Sequence, residues 1–160
     1  MYGLYLARSF AYTADIISQQ LSEISREDSL RQPIAGEHSI NWLTGHIISS
    51  RSTPLKYVGA DPVWPDAARD RYRDGSPPIT APDARVLELA ALIRLFERSQ
   101  DRLIAGLESL SDAELTQPSG YGRHTLAESL LYFHFHESCH VGQLTMVAES
   151  LGSKAKYLSS

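Results

Sequence analysis

Four stretches of the sequence repeat apolar residues with the spacing of an amphipathic α-helix, and this pattern constrains the fold more than any other feature. We predict the first helix over residues 5–24. The second begins at Ser39, a residue type that caps helices, and ends before Gly59, although Pro54 can kink it earlier. The third begins after Pro82 and continues to about residue 107. The fourth begins at residues 124–125 and ends at Leu151.

No segment alternates apolar and polar residues for long enough to predict a β-strand. The pattern therefore predicts an all-α fold, a four-helix bundle, in which residues 1–160 form a single domain. Thr125 and Glu128 have the spacing of a helix capping box, and so do Ser111 and Glu114 in the preceding connection.

The connection over residues 60–81 is rich in proline and is long enough to run back along the whole bundle. A long loop in a compact domain needs such a reason. This connection predicts a long crossover between helices 2 and 3, which makes these two helices parallel. The shorter connection over residues 111–123 suits an antiparallel return, so that helices 2 and 4 run in opposite directions.

Charge and cysteine content exclude several classes of protein. The net charge of −4 argues against a general nucleic-acid binder, which needs a basic face. The lone cysteine, Cys139, cannot form an internal disulfide, so we expect a cytoplasmic protein. We interpret the N-terminal segment as a structural helix rather than a signal peptide, and no apolar run has the length of a membrane span.

Three histidines form the strongest candidate site. His136 and His140 are four residues apart on the predicted fourth helix, so both side chains project from one face. Gln143 lies one turn further along that face, where it can contact a ligand or a bound water. The antiparallel arrangement brings His46, on helix 2, to within a turn or two of this pair. We therefore predict a divalent metal site at His46, His136 and His140, with open coordination positions of the kind found in catalytic centres.

Other candidate residues have ordinary structural explanations. A single histidine on a helix is more often a surface or core residue than a ligand, and we expect this of His124 and His134. His38 lies just before a helix start, and we expect it to be solvated or to neighbour the helix cap. Cys139 is near the two histidines and could bind metal, but a buried inert thiol is the commoner case. Trp42 is either a core residue or part of a pocket wall, and we favour the core. A mixed-charge segment of the long connection is expected to be a solvated loop; it contains Arg69, Arg71, Arg73, Asp66, Asp70 and Asp74.

Residues 136–140 also match the H-E-x-x-H motif of zinc metalloproteases, in which the glutamate is the general base. The extended form of that motif needs glycine at position 143 and histidine at position 146, where this chain has Gln143 and Met146. Glu149 is too far along the same helix to serve as a ligand, so a protease is disfavoured. Glu137 and Gln143 remain weak catalytic candidates, and the commoner role for Glu137 is an exposed helix glutamate.

Two segments together resemble the DinB/YfiT-like superfamily. Residues 39–47, followed by Arg51 and Leu55, resemble its second helix, and residues 136–144 resemble its H-x-x-x-H-x-G-Q signature. The resemblance extends to the proline-rich connection and to Leu151 and Gly152. Cys139 stands where many relatives carry an aromatic residue.

This resemblance implies a four-helix bundle with a long second crossover, often as a homodimer. It also implies a metal, commonly nickel or zinc, on His46, His136 and His140. Characterised relatives include enzymes that use low-molecular-weight thiols, such as bacillithiol S-transferases and the mycothiol-dependent maleylpyruvate isomerase.

These expectations lead to three hypotheses about function. The first is a metal-dependent enzyme, a thiol S-transferase or a hydrolase, that acts on a small molecule and uses a low-molecular-weight thiol. The second is a non-catalytic stress-response module that binds a small molecule or a metal. The third is a structural interaction protein in which the histidines are polar core groups.

Overall fold

The computed structural model describes residues 1–64 and 66–153, and these residues are all-helical, consistent with a helical bundle. The helices are α1 (Tyr2–Ser22), α2 (Arg26–Leu30), α3 (Ile40–Ser50), α4 (Ser52–Tyr57), α5 (Asp66–Arg69), α6 (Leu89–Ser109), α7 (Asp112–Leu115) and α8 (Leu126–Ser150), with a 3₁₀ turn at Asp70–Tyr72. The described part contains no strand, and none of its helices has the length and apolar character to cross a membrane.

Each of α1 and α3 packs against both α6 and α8. The apolar side chains between these helices form two clusters. One cluster surrounds Ile17, Leu43 and Leu144, and the other surrounds Leu103 and Leu130. The histidine-bearing segments of α3 and α8 therefore lie on helices that are packed directly against each other.

The predicted helix caps are present. The Ser39 hydroxyl accepts a hydrogen bond from the backbone N–H of Trp42. Both capping boxes form, with Ser111 and Thr125 at the N-caps of α7 and α8. Gly152, with a positive φ of 94°, follows the end of α8, in agreement with the predicted stop.

The second predicted helix is divided into α3 and α4 at Arg51. Pro54 has no backbone N–H to donate to the carbonyl of residue 50, and proline is tolerated only in the first turn of a helix. The interruption places Pro54 in the first turn of α4, so the helix is interrupted before this residue, where the sequence allowed for it.

The third predicted helix starts later than expected, at Leu89 rather than after Pro82. The Asp83 carboxylate accepts a hydrogen bond from the backbone N–H of Arg85, which closes a turn. The backbone N–H of Leu87 donates to the Tyr72 hydroxyl, at 2.7 Å. Contacts with the rest of the fold therefore occupy backbone groups that a longer helix would need.

The long connection is held against α3 rather than solvated throughout. Arg71 is buried, and its guanidinium donates to the carbonyls of Pro77 and Pro78. The Trp42 indole N–H donates to the Ser76 hydroxyl at 2.8 Å. The expectation of a solvated charged loop is therefore wrong for Arg71, because the carbonyls of Pro77 and Pro78 accept hydrogen bonds from its buried guanidinium. Pro65 and the side chain of Asp66 lie outside the described part of the structure.

Candidate metal centre

The three predicted histidines come together in the fold. His46 on α3 and His136 and His140 on α8 each offer a ligand atom, and these atoms lie within 4.8 Å of one another. The Nε2 atoms of His136 and His140 are 3.2 Å apart. The ring centroids of His46 and His140 are 4.6 Å apart. The convergence expected from the sequence is therefore observed, and the cluster could hold a metal ion.

Two contacts fix the ring of His46. Its Nδ1 lies 2.8 Å from the backbone carbonyl of Tyr72. A carbonyl can only accept, so Nδ1 carries the proton and Nε2 has the free lone pair. The ring also stacks on Trp42, with centroids 4.6 Å apart and planes 8° apart, and Trp42 stacks in turn on His38. Both contacts hold the ring, and Nε2 is left available as a possible ligand atom.

A second chain of contacts orients His140. Its Nδ1 lies 2.7 Å from Oε1 of Gln143, so the imidazole N–H donates to the amide oxygen. The amide nitrogen of Gln143 donates to the Glu37 carboxylate at 3.2 Å. Gln143 therefore contacts the predicted ligand His140 and leaves Nε2 of that histidine free, an arrangement common around metal sites.

His136 lacks such a partner. Its Nδ1 is buried and has no hydrogen-bond partner among the described residues. Its Nε2 faces the Nε2 of His140. Two imidazole nitrogens that face each other at this distance can share a cation, so the donor set fits a metal ion.

Burial keeps the three imidazoles neutral. The pKa of His46 is lowered from 6.5 to about 4, mainly by burial and also by the neighbouring His140 and His136. The hydrogen bond to the Tyr72 carbonyl acts in the opposite direction and raises this pKa. Burial also lowers the pKa values of His136 and His140, although Gln143 opposes the effect at His140. Neutral imidazoles at pH 7 present the lone pairs that a metal needs.

A cleft of about 920 Å³ opens onto the three histidines. Its other lining residues provide hydroxyl, thiol, aromatic and charged groups: His38, Trp42, Ser49, Ser50, Arg73, Asp74, Tyr132, Cys139 and Gln143. This volume suits a small molecule. The site therefore combines a cluster of potential ligands with space beside it.

Of the other candidate residues in the cleft, Cys139 differs from its sequence-based expectation. Cys139 is exposed in the cleft rather than buried, because α8 turns this side chain toward the side of His136 and His140. His38 directly precedes the N-cap Ser39, as one of the two expectations for it has it, and its half-buried ring stacks on Trp42. Trp42 is both a core residue, 2% exposed, and part of the cleft wall.

The other two histidines lie outside the cluster, as expected. His124 is exposed near the start of α8, and the ring of His134 contacts the edge of Phe10 at 5.1 Å. His134 and His136 thus lie on different sides of α8, which agrees with their spacing along a helix.

Glu137 is buried, and the expectation of an exposed helix glutamate is wrong. The Arg51 Nε donates to its Oε2 at 2.7 Å, and Nη2 of the same guanidinium donates to Oε1 at 2.8 Å. The Thr13 hydroxyl also donates to Oε1, at 2.7 Å. Both carboxylate oxygens are therefore engaged, which leaves Glu137 poorly placed to take a proton from a substrate.

Arg51 was not recognised in the sequence as the partner of Glu137. The sequence nevertheless contains a clue. Between Ser39 and Leu55 there is no aspartate, glutamate or lysine, and Arg51 is the single arginine. A single charge in an otherwise uncharged helix that packs into a core needs a buried partner.

Comparison with known families gives a direct match. The family model of the DinB superfamily matches residues 10–144, which include all three clustered histidines. The chain belongs to the DinB superfamily. No curated protein sequence matches the chain.

A solved structure has a similar fold to this DinB-superfamily protein. A conserved protein from Enterococcus faecalis aligns with a TM-score of 0.72 and 15% sequence identity. The alignment covers 93% of this chain and 96% of the Enterococcus protein. At this identity the similarity establishes the fold alone.

Proposed function

We propose that the protein binds one divalent metal ion through His46, His136 and His140 and is a metal-dependent enzyme that acts on a small molecule. The observation that carries this proposal is the convergence of three imidazoles, two of them held by hydrogen bonds at Nδ1, beside a cleft of about 920 Å³. Membership of the DinB superfamily supports it.

The donor set indicates the class of metal and the class of reaction. Imidazole nitrogens suit nickel and zinc, and three protein ligands leave coordination positions open for water or a thiol. A metal at this position would lower the pKa of such a ligand. We therefore propose a thiol S-transferase or a hydrolase, with a low-molecular-weight thiol as the cofactor in the first case.

The residues around the cleft have roles consistent with this chemistry. Tyr72 and Gln143 hold the Nδ1 atoms of His46 and His140, and so orient both rings. Arg73 lines the cleft and can attract a carboxylate on a substrate or on a thiol. The hydroxyls of Ser49 and Tyr132 line the same space and can donate hydrogen bonds.

Metal analysis of untagged protein tests the first part of the proposal. We expect about one equivalent of nickel or zinc per chain and loss of that metal in His140→Ala. His134→Ala is the matched control, because His134 lies on the same helix but outside the cluster. Retention of the metal in His140→Ala would contradict the proposal.

Activity is tested by incubating the metal-loaded protein with low-molecular-weight thiols and a panel of electrophiles. Formation of a thioether product that needs both the metal and the thiol supports the S-transferase. Product formation from an ester or amide panel without a thiol supports the hydrolase. His46→Ala should abolish either activity.

The second candidate is a module that binds a small molecule or a metal without turnover. The engagement of both Glu137 oxygens by Arg51 and Thr13 favours it, because the most obvious general base is occupied. A rise in melting temperature with a ligand, but no product across the panel, would favour this candidate.

We also propose that the whole chain forms one four-helix bundle with a long crossover. Asn41 donates to the carbonyl of Leu87, just before α6, and Arg51 donates to Ser99 on α6, so the contacts advance in the same direction along both segments. This order supports parallel helices on either side of the crossover, as the family resemblance implies.

We further propose a cytoplasmic homodimer. The exposed side chains of Tyr5, Tyr12, Phe135 and Met146 lie on α1 and α8, which also line a surface groove of about 620 Å³. Such an apolar surface is typical of an interface. Tyr12→Glu should convert a dimer into a monomer in analytical ultracentrifugation, whereas a monomeric wild-type protein would contradict the proposal.

The cytoplasmic location that we propose is supported by Cys139, because its exposed thiol suits a reducing compartment.

A further inference from the structure

A buried polar network joins the four longest helical regions at one level of the fold. The guanidinium of Arg51, 1% exposed, makes two hydrogen bonds to the carboxylate of Glu137, 3% exposed. The remaining arm of the guanidinium donates to the Ser99 hydroxyl on α6 at 3.0 Å. Thr13 on α1 donates to Glu137 at 2.7 Å.

The surroundings of this network are apolar. The guanidinium carbon lies 4.2 Å from the centre of the Phe96 ring. A buried ion pair in such a place is weak evidence for stability, since apolar side chains of similar volume often stabilise a fold as well or better. What a two-point ion pair provides is a defined geometry, because both the distance and the rotation of its two partners are fixed.

That geometry is linked to the metal ligands through the covalent chain. Glu137 follows His136 directly and precedes His140 by three residues, so both histidines lie on the same side of it around α8. Arg51 stands at the end of α3, five residues beyond His46. The ion pair therefore connects the two ligand-bearing helices within two turns of every ligand.

We propose that the Arg51–Glu137 pair is a positioning device that sets the rotation and height of α8 against α3, and thereby brings His136 and His140 to His46. This inference rests on the proposed metal site. Its consequence is that a change in the geometry of the pair weakens metal binding even when the protein remains folded.

Two variants separate positioning from electrostatic attraction. Arg51→Lys keeps the charge but loses the two-point contact. The double variant Arg51→Met with Glu137→Leu removes both charges and keeps the net charge of the pair at zero. Positioning predicts that both variants raise the dissociation constant for Ni²⁺ or Zn²⁺ by about 10–100-fold, whereas a purely electrostatic role predicts little change in either.

The control variant is Leu103→Ala, which creates a cavity in the other apolar cluster, away from the ligands. It should lower the melting temperature and leave the dissociation constant unchanged. The absorption spectrum of the Co²⁺ form adds a readout that depends on ligand geometry: it should change in Arg51→Lys and not in Leu103→Ala.

A metal-independent measurement completes the test. In the metal-free wild-type protein, the rings of His46 and His140 are close enough to give nuclear Overhauser contacts, and these should disappear or weaken in Arg51→Lys. Absence of metal binding by the wild-type protein would refute the proposed function, and the ring contacts would still decide the positioning role. The inference would be overturned if Arg51→Lys had the same metal affinity, the same Co²⁺ spectrum and the same ring contacts as the wild type. This comparison holds even if the double variant failed to fold.

Discussion

Replacement of Gly45 by alanine should both destabilise the fold and weaken metal binding. Gly45 is in the interior of α3, and a Cβ atom at this position would lie 2.5 Å from Cε1 and 2.6 Å from Cγ of the Tyr72 ring. Real carbon atoms in contact are about 3.5–4.0 Å apart, so the ring would have to move by more than about 1 Å. Tyr72 is fully buried and has little room to move.

The magnitude follows from what Tyr72 contacts. Overpacking of a core costs about 1–3 kcal/mol. The Tyr72 hydroxyl donates to Asn41 at 3.2 Å and accepts from the backbone N–H of Leu87, and each weakened bond adds about 1 kcal/mol. The higher helix propensity of alanine relative to glycine offsets about 1 kcal/mol of this loss. We expect a net loss of about 3 kcal/mol in the free energy of unfolding, measured by urea denaturation.

The same movement displaces the Tyr72 carbonyl that holds Nδ1 of His46. The loss of such a partner typically costs about 10–100-fold in metal affinity, which a titration with Zn²⁺ or Ni²⁺ measures.

Two other helical glycines provide matched controls for Gly45→Ala. Gly106→Ala also creates a clash, with Val58 Cβ at 2.5 Å, but lies away from the histidines. It should lower stability and leave metal affinity unchanged. Gly142→Ala meets nothing within 4 Å and should stabilise dilute protein by about 0.5–1 kcal/mol. Unchanged stability and metal affinity in Gly45→Ala would refute the reasoning.

Three further predictions concern pH, metal removal and the long connection. His46 has a pKa of about 4 in the fold against its ordinary 6.5, so the unfolded chain takes up a proton at this residue first as the pH falls. The urea midpoint of metal-free protein should therefore decrease from pH 7 to pH 5. The decrease should be less steep in His46→Gln. Metal at 100 times its dissociation constant should stabilise the protein by about 2.7 kcal/mol, so chelation should lower the melting temperature by roughly 5–10 °C in the wild type and not in His140→Ala. Arg71→Ala removes the donor to Pro77 and Pro78 and should accelerate proteolysis within residues 73–83, whereas Arg73→Ala, which alters an exposed side chain, should not.

The helices and their caps were predictable because they depend on local sequence. The periodic apolar residues determine which face of each helix is buried, and Ser39 and Thr125 cap α3 and α8 through hydrogen bonds that span three residues. The start of α6 was not predictable from Pro82 and Asp83, because the groups that stop the helix include the hydroxyl of Tyr72, which is distant in sequence. Helix boundaries of this kind depend on tertiary contacts.

The histidine cluster was predictable for a different reason. His136 and His140 share a helix face by spacing alone, and only the placement of His46 needed the order of the helices. The burial of Glu137 was not predictable in the same way, because it depends on Arg51 reaching across from another helix. The hydrogen bond between the Tyr72 carbonyl and His46 was also not predictable, because every residue type has a backbone carbonyl and the sequence does not show which one accepts.

The most direct test of the metal site is a crystal of untagged protein grown with Zn²⁺ or Ni²⁺ and measured at the absorption edge of that metal. The account predicts one anomalous peak per chain, about 2.0–2.1 Å from Nε2 of His46, His136 and His140. A peak bound elsewhere, or no peak between these three rings at saturating metal, would contradict it.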